Sequence, residues 1–344
     1  MLERRCGATP HQSQVSTRDL ARISKHACGV EDIFFSTATY LGHPLLLNFS
    51  QTNCLHLQIP KNDLITETLV KIRLEEKGIP LPTTITFDGE NLTFLWILDT
   101  PLESSEFHIY TLMQQFLFNV AAEFNPTKNN LDTVFLTRMV GSINKKNKIN
   151  SHLITGYGNT YKKEYLVKKI LSSNMIPAAD FREREIQAGT TLELMALLGS
   201  RWFSASQQPE LFQDWIIFFG SSLCNFCEPT QLFKELRAIA ESLENKNWKD
   251  IKKMYAPLIN ALEHTAKDGY IKIDGMHHTI NDPTWRELIQ GKLQISDKEI
   301  SELNLQVIGN KSSISPHLHV QNKNIYPVGH TNFVPIERLL LKAA

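Results

Sequence analysis

The chain has no stretch of about eighteen consecutive apolar residues, the length a membrane-spanning helix requires. It also has no apolar core behind its first residues, Met1-Leu-Glu-Arg-Arg-Cys. Export and membrane spanning are therefore not expected, and a cytoplasmic protein is. Net charge is missing as well, with 36 Lys and Arg against 36 Asp and Glu. The molecule has no long-range field to attract nucleic acid, so any such binding must come from a local patch. Cysteines are few and odd in number, five without regular spacing, which excludes a disulfide framework and suits a reducing compartment. A Gly-rich phosphate loop with its Lys-Ser/Thr is absent, which excludes a P-loop ATPase, and so is a nucleophile elbow. The chain contains no internal repeat.

What is present is enough for two cores. The 344 residues are 42% hydrophobic and 21% charged, ordinary values for globular domains. Residues 1–29 read as a polar segment, loose to about residue 15. A short helix follows, capped by Ser16 and Thr17 and stopped by Gly29. Residues 30–155 alternate short apolar runs with helical stripes. Runs between Asp32 and Ile59 suit strands, and residues 64–77 suit an amphipathic helix on Leu64, Ile65, Leu69, Ile72 and Leu74. Thr84 to Leu98 reads as a hairpin with Asp88-Gly89 at its turn and Leu92, Phe94, Trp96 and Leu98 on one face. Ile109 to Phe124 forms a strong helical stripe that ends near Pro126. Residues 156–188 turn charged and irregular, as a linker does.

Residues 189–305 read as helix after helix. Trp215 to Phe226 is apolar almost all round, and Pro229 sits in the first turn of the next helix. Trp248 to Leu262 continues the pattern with a break at Pro257. Pro283 opens a helix that Gly291 closes, and Ser296-Asp-Lys-Glu299 makes a capping box. Residues 306–344 form a tail without a clear period. Cys224-Asn-Phe-Cys227 has metal-ligand spacing but lacks a second pair, so two core thiols are expected and zinc is not. His277-His278 and His317-x-His319 have no fixed partner and read as surface histidines. The helices across Gly291 have the size of a helix-turn-helix, but the second carries more acid than base.

The densest chemistry lies in Asp132-Thr-Val-Phe-Leu-Thr-Arg138-Met-Val-Gly141-Ser142-Ile-Asn144-Lys145-Lys146-Asn-Lys148. An acid on a predicted strand can hold a divalent cation, and an arginine can grip phosphate through two nitrogens. A Gly-Ser turn can offer backbone N–H groups as a phosphate nest. From Asp132 to Lys169 eight Lys or Arg face two acids, with Tyr157, Tyr161 and Tyr165 interleaved. Charge with stacking surface suits a nucleic-acid strand.

The hairpin followed by Arg138-x-x-Gly141-Ser142-x-Asn144-x-Lys146 resembles the primase-like replication proteins of plasmids and mobile elements, relatives of the archaeo-eukaryotic primase superfamily. Pro82 would lead in, Gly89 would hold the turn, Leu95-Trp96 the aromatic position, and Asp132 the late acid. Gly199-Ser-Arg201-Trp, Trp215 onward, and Thr284-Trp-Arg-Glu-Leu-Ile with Ile295-Ser-Asp-Lys-Glu resemble the helical domain that follows that core. The resemblance implies an α+β fold: an RRM-related sheet-and-helix core followed by an all-α C-terminal domain. It implies binding of single-stranded DNA and nucleoside triphosphates, host replication proteins as further partners, and primer synthesis by nucleotidyl transfer with Mg²⁺ or Mn²⁺ if active. Asp132 would then be the metal ligand and, with Arg138 and Asp88, catalytic. Gly141, Ser142, Asn144, Lys145, Lys146 and Lys148 would hold nucleotide or strand. The departures are equally specific. The family's Asp-x-Asp pair falls on Gln58 and Pro60 here, its Ser on Asp88 and its His on Thr93. A two-metal mechanism needs several carboxylates, with Asp63 and Asp88 as possible substitutes. The alternative is therefore a non-catalytic DNA-binding initiator or accessory protein on a degenerate primase core.

Overall fold

A computed structural model describes residues 2–4, 11–13, 25–40, 45–62, 64–127, 135–171, 178–205, 211–224, 226, 229–244, 270–273, 276–279 and 283–309. The chain forms two compact units. The first comprises residues 1–40 and 49–177, the second residues 41–48 and 178–344. The chain therefore leaves the first unit after Tyr40, contributes a short segment to the second, and returns at Phe49.

The first unit is built on a mixed sheet. Its strands are β3 (Ile33–Ser36), β4 (Ala38–Tyr40), β5 (Phe49–Pro60), β6 (Thr84–Phe87), β7 (Asn91–Glu103), β8 (Leu136–Arg138), β9 (His152–Gly156) and β10 (Thr160–Tyr161). The larger sheet runs β4-β5-β7-β6-β9, and β10 joins β7 in parallel at Ile97 and Leu98. A second sheet places β3 beside β8 and two N-terminal strands, β1 (Leu2–Arg4) and β2 (His11–Ser13). The expectation that residues 1–15 are loose is corrected here. Glu3 pairs with Phe34 across the ladder, and backbone pairing needs no apolar pattern in the strand that joins. Helices α1 (Glu67–Glu76) and α2 (Phe107–Val120) complete the core.

The register explains the apolar density of β7. Leu57 faces Phe94, Leu55 faces Trp96 and Ile59 faces Leu92, so these side chains share one sheet face with Ile85. All seven are essentially inaccessible, and each stabilises the unit by roughly 1.5–3 kcal/mol. The opposite face is also covered: His56, Thr93 and Leu95 are buried. Burial on both faces is why this strand reads as a continuous apolar run instead of an alternation.

Helix α1 begins later than its apolar residues suggest. Thr66 caps it by accepting from the Leu69 N–H at 3.3 Å, and only Val70 and Leu74 are buried, while Leu64, Leu69 and Ile72 stay exposed. Residues 156–188, expected to be a linker, carry β10, α3 (Lys163–Leu171) and the first turns of α4 (Ala178–Ala205). Their charge reflects exposure of the outer faces: on α3 Leu166 is buried, while Glu164, Tyr165, Lys168 and Lys169 are exposed.

Among the described residues, the second unit is largely helical but includes one antiparallel pair, β11 (Tyr270–Ile273) with β12 (Met276–Thr279), which the all-α expectation did not include. Helix α5 (Phe212–Leu223) is buried along most of its length, as its all-round apolarity predicts. Helix α6 (Pro229–Glu244) opens on its proline and buries Leu232, Leu236, Ile239 and Ala240. Phe218 meets Trp285 edge-on at 5.4 Å. Helix α7 (Pro283–Lys292) does not stop at Gly291. The left-handed turn belongs to Gln294, φ 50°, and the Ile295 N–H closes back on the Gln290 carbonyl at 2.9 Å. Helix α8 (Asp297–Glu302) has the expected capping box between Ser296 and Glu299. Ser16, Thr17, residues 248–262, Cys227, His317, His319 and the tail beyond Gly309 lie outside the described residues. No helix among the described residues is long and apolar enough to cross a membrane.

Two buried carboxylates hold chain segments inside this unit. Glu193 of α4 accepts the N–H groups of Gln306 (2.5 Å), Val307 (2.7 Å) and Ile308 (2.7 Å). Glu235 of α6 accepts those of Leu46 (2.6 Å) and Leu47 (3.2 Å), with the Gln231 amide at 2.5 Å. Burial pushes both carboxyls up to about 7, against the pull of these donors. A third charged group ties together two segments of the family resemblance. Arg201 pairs with Glu299 and donates to the carbonyls of Leu293 and Gln294 at the end of α7. Its hydrogen bonds hold the Glu299 carboxyl down to about 2.

Candidate nucleic-acid interface

The hairpin turn is built by its own side chain. Asp88 Oδ1 accepts the N–H groups of Glu90 (2.9 Å) and Asn91 (2.7 Å), an Asx-turn that folds β6 onto β7. Gly89 takes φ +94°, and a Cβ there would meet the Asn147 amide at 2.7 Å. The turn therefore has glycine for two reasons, its backbone conformation and the close approach of a neighbour.

That neighbour is the loop after Arg138. The Asn144 amide donates to the Asp88 carbonyl at 3.0 Å, and the Asn147 amide donates to the Gly89 carbonyl at 2.8 Å. Asn144 Oδ1 also accepts the Lys146 N–H at 3.0 Å, and Asn147 Oδ1 accepts the Ile149 N–H at 3.0 Å. Two asparagines thus shape the loop and dock it on the turn. On its other side, Ile143 bridges to residues 30–32: its N–H donates to Val30 O and its carbonyl accepts from the Asp32 N–H, both at 2.9 Å.

This second seam decides what Arg138 does. Asp32, held at φ +54°, presents Oδ1 to Arg138 Nη1 at 2.5 Å, and the same nitrogen reaches the Ile143 carbonyl at 3.2 Å. The guanidinium lies 4.6 Å from the Phe34 ring, its cross-strand partner. Burial alone would raise the Asp32 carboxyl. The Arg138 hydrogen bond, the Lys145 N–H at 3.2 Å and the nearby positive charges outweigh it and hold the group below its ordinary value. Arg138 is buried, and one arm is already committed to an ion pair. Here Arg138 acts as a clamp between Asp32 and the Ile143 carbonyl, an arrangement that gives a buried guanidinium its counter-charge.

Gly141 and Ser142 are committed too. The Gly141 N–H donates to Ser151 O at 2.7 Å, the Ser142 N–H to Met139 O at 3.1 Å, and the Ser142 hydroxyl to Met139 O at 2.7 Å. A phosphate nest requires free N–H groups, and these two are taken by Ser151 and by the turn's own Met139 carbonyl. Asp88, proposed as a substitute metal ligand, spends Oδ1 on the hairpin. Tyr161 is half-buried and donates to Leu81 O at 2.5 Å, whereas Tyr157 and Tyr165 are exposed. Asp132 and Asp63 lie outside the described residues.

The lysines remain at the surface. Lys146 pairs with Glu90 at 2.6 Å and Lys148 with Glu31 at 2.6 Å. Lys145 lends its N–H to Asp32 and keeps its side chain exposed. Asp88, Asn144, Lys145, Lys146 and Lys148 therefore stand together at one end of the sheet, beside the buried Arg138–Asp32 pair.

Where the resemblance would put two metal-binding acids, the structure has a neutral cluster. Gln58 is buried, its amide reaches Thr93 Oγ1 at 3.4 Å, and its carbonyl oxygen accepts the Thr127 hydroxyl at 3.1 Å. Pro60 has no donor atom on its side chain. Beside it, His56 is stacked on Phe135 at 3.6 Å and bound by Gln114. Amide and hydroxyl groups that bind one another do not fit a pair of divalent cations, which need carboxylate charge. Among the described residues no three His, Cys, Asp or Glu side chains come together.

No family model matches the chain. Over 164 residues it is 24% identical to a protein of Clostridium perfringens named "Replication protein". The chain resembles a replication protein. The match covers 44% of this chain and 39% of that one, so it spans about two-fifths of the relative's length. Among solved structures, the AEP domain of the cyanophage S-2L primase-polymerase aligns over 48% of this chain and 82% of its own. Its TM-score is 0.37 at 13% identity. Primase RepB' aligns over 86% and 93% with a TM-score of 0.32 at 10% identity. Likenesses at these scores do not establish a common fold.

Sequence reasoning missed Asp32, His56 and Gln114. Asp32 lay next to the short apolar run at residue 33 without a motif around it. His56 and Gln114 sit within apolar segments, where a lone polar residue was the available signal.

Proposed function

We propose that this chain is a plasmid or mobile-element replication protein that binds single-stranded DNA at the lysine-bearing end of its larger sheet. The observation that supports this reading is the docking of the Asn144–Ile149 loop on the hairpin turn. It anchors the backbone that carries Lys145, Lys146 and Lys148, in and just after the segment that resembles the primase motif, on the hairpin turn. Clustered surface cations supply affinity for phosphates without sequence readout. The compartment consistent with this role is the cytoplasm, and nucleoside triphosphates and host replication proteins are its further partners.

Two forms of this function differ in chemistry. A primer-synthesising enzyme needs carboxylates for Mg²⁺ or Mn²⁺, and Asp132 is the one residue the resemblance nominates. A DNA-binding initiator or accessory protein needs none. The neutral Gln58–Thr93–Thr127 cluster favours the second.

The test is primer synthesis on single-stranded DNA with labelled nucleotides, for wild type and Asp132→Ala, alongside binding of the same DNA. The expected result is binding without product, with binding weakened in Lys145→Ala and Lys146→Ala. Product that disappears in Asp132→Ala would establish a working active site with rearranged ligands. Arg138→Ala is uninformative for binding, since removing a buried counter-charge unsettles the fold.

A further inference from the structure

At the same end of the sheet, three side chains outside the Arg138–Lys146 segment form a ladder. Lys61 follows the last residue of β5, and its N–H donates to the Glu90 carbonyl at 2.9 Å. Its ammonium lies 4.7 Å from the Phe87 ring centroid. Phe87 ends β6 and pairs in register with His152, the first residue of β9. The two rings stand 5.6 Å apart with their planes at 74°. Phe87 is half-buried and His152 exposed, and β9 is the last strand in the order of its sheet.

The charges around this ladder are unevenly neutralised. Lys146 and Lys148 each have a glutamate. Among the described residues the Lys61 ammonium pairs with no carboxylate and lies over the Phe87 ring, while Lys145 gives Asp32 both its backbone N–H and the pull of its charge. Phe87 therefore links an exposed cation, Lys61, to an exposed ring, His152, at a sheet edge beside the hairpin turn.

We infer that Lys61, Phe87 and His152 form a base-stacking platform for single-stranded nucleic acid, with His152 receiving an unpaired base and Lys61 the adjacent phosphate. This rests on the DNA-binding reading above and adds residues that the primase-like motif does not contain. Aromatic rings accept any unpaired base through its π-face, while paired bases in a duplex expose only their edges and backbone. The ladder therefore selects single strands. The Phe87 ring holds both partners in place: it attracts the ammonium electrostatically and fixes the imidazole from its edge.

The experiment measures dissociation constants by fluorescence anisotropy with labelled oligothymidylate across a range of KCl concentrations. The proteins are the full chain as wild type, His152→Ala, His152→Phe and Lys61→Ala, each checked by its thermal melt. His152→Ala is expected to bind about tenfold more weakly with an unchanged salt slope, since one base–ring stack is lost. His152→Phe is expected to restore binding. Lys61→Ala is expected to weaken binding and to lower the salt slope by about 0.7, the value for one phosphate contact on a single strand. His152→Ala and Lys61→Ala both binding as wild type would overturn the platform while leaving the DNA-binding reading intact. Duplex DNA competing as well as the single strand would also overturn it. A wild-type protein with no affinity for the oligonucleotide even at low salt would remove the underlying reading as well.

Discussion

Arg138 in the first unit and Glu193 in the second are both buried charged residues, and the protein neutralises them in different ways. Arg138 meets an opposite charge, Asp32 at 2.5 Å. Glu193 meets backbone dipoles alone, three successive N–H groups between Gln306 and Ile308. An ion pair compensates desolvation with charge at both ends, so the Asp32 carboxyl is held down. Glu193 is more deeply buried and has backbone donors in place of a counter-charge, so burial wins and its carboxyl rises to about 7. Asp32 and Glu193 should therefore contribute to the pH dependence of stability with opposite signs.

The largest expected effect comes from breaking the Arg138 pair. Arg138→Ala or Asp32→Ala should each cost about 3–5 kcal/mol, the range for removing one partner of a buried pair. Urea unfolding of both variants and the double mutant measures this, and the double mutant should recover part of the loss. If either single substitution leaves the midpoint unchanged, the clamp is not structural.

Next is Gly89→Ala. The left-handed backbone and the 2.7 Å approach of Asn147 predict a loss of roughly 1–3 kcal/mol. Displacement of the Asn144–Ile149 loop should also weaken DNA binding. A normal melt together with normal binding would show that the turn adapts to the extra methyl group.

The pH comparison is subtler. For Glu193 and Glu235 the folded carboxyl lies at about 7 and the unfolded one at its ordinary 4.5. Between those values the folded state keeps a proton that the unfolded chain has released, so stability of the second unit falls as pH rises from about 4.5 to about 7. Asp32 has the opposite sign: its contribution is complete above its ordinary value of 3.8 and is lost as pH falls below that. Unfolding followed against pH in wild type, Glu193→Gln and Asp32→Asn separates the two. Glu193→Gln should flatten the slope between 4.5 and 7, and an unflattened slope would assign it to other groups.

The smallest effect belongs to Lys146→Ala. Lys146 is exposed and paired with Glu90, and surface pairs of this kind contribute little to stability. Its melt should match wild type, while the salt dependence of DNA binding becomes shallower. An unchanged slope would remove Lys146 from the interface.

The local devices of this chain were legible in its sequence. Asp88-Gly89 specified a turn that its own carboxylate closes. Ser296 and Glu299 specified a capping box, and Pro229 the start of a helix. Each rests on residues within a few positions of one another, where backbone geometry and hydrogen-bonding reach act without the rest of the fold. The candidate site was legible only as a segment. Lys145, Lys146 and Lys148 are exposed, whereas Asn144 is buried against the hairpin turn, and Arg138, Gly141 and Ser142 are engaged by Asp32, Ser151 and Met139. Nothing about Arg138 itself distinguishes a phosphate grip from a clamp. Its chemistry is the same in both, and its partner decides.

The sequence by itself determined turns, caps, helix stripes and the apolar strands of the sheet, because those depend on short-range sterics and on hydrophobic periodicity. Tertiary structure alone decided which charges are free to meet a ligand. Asp32 reaches Arg138 across 106 positions, Glu193 reaches Ile308 across 115, and Glu235 reaches Leu46 across 189. A buried polar group takes whatever partner the fold brings within about 3 Å, and sequence spacing carries no record of that meeting.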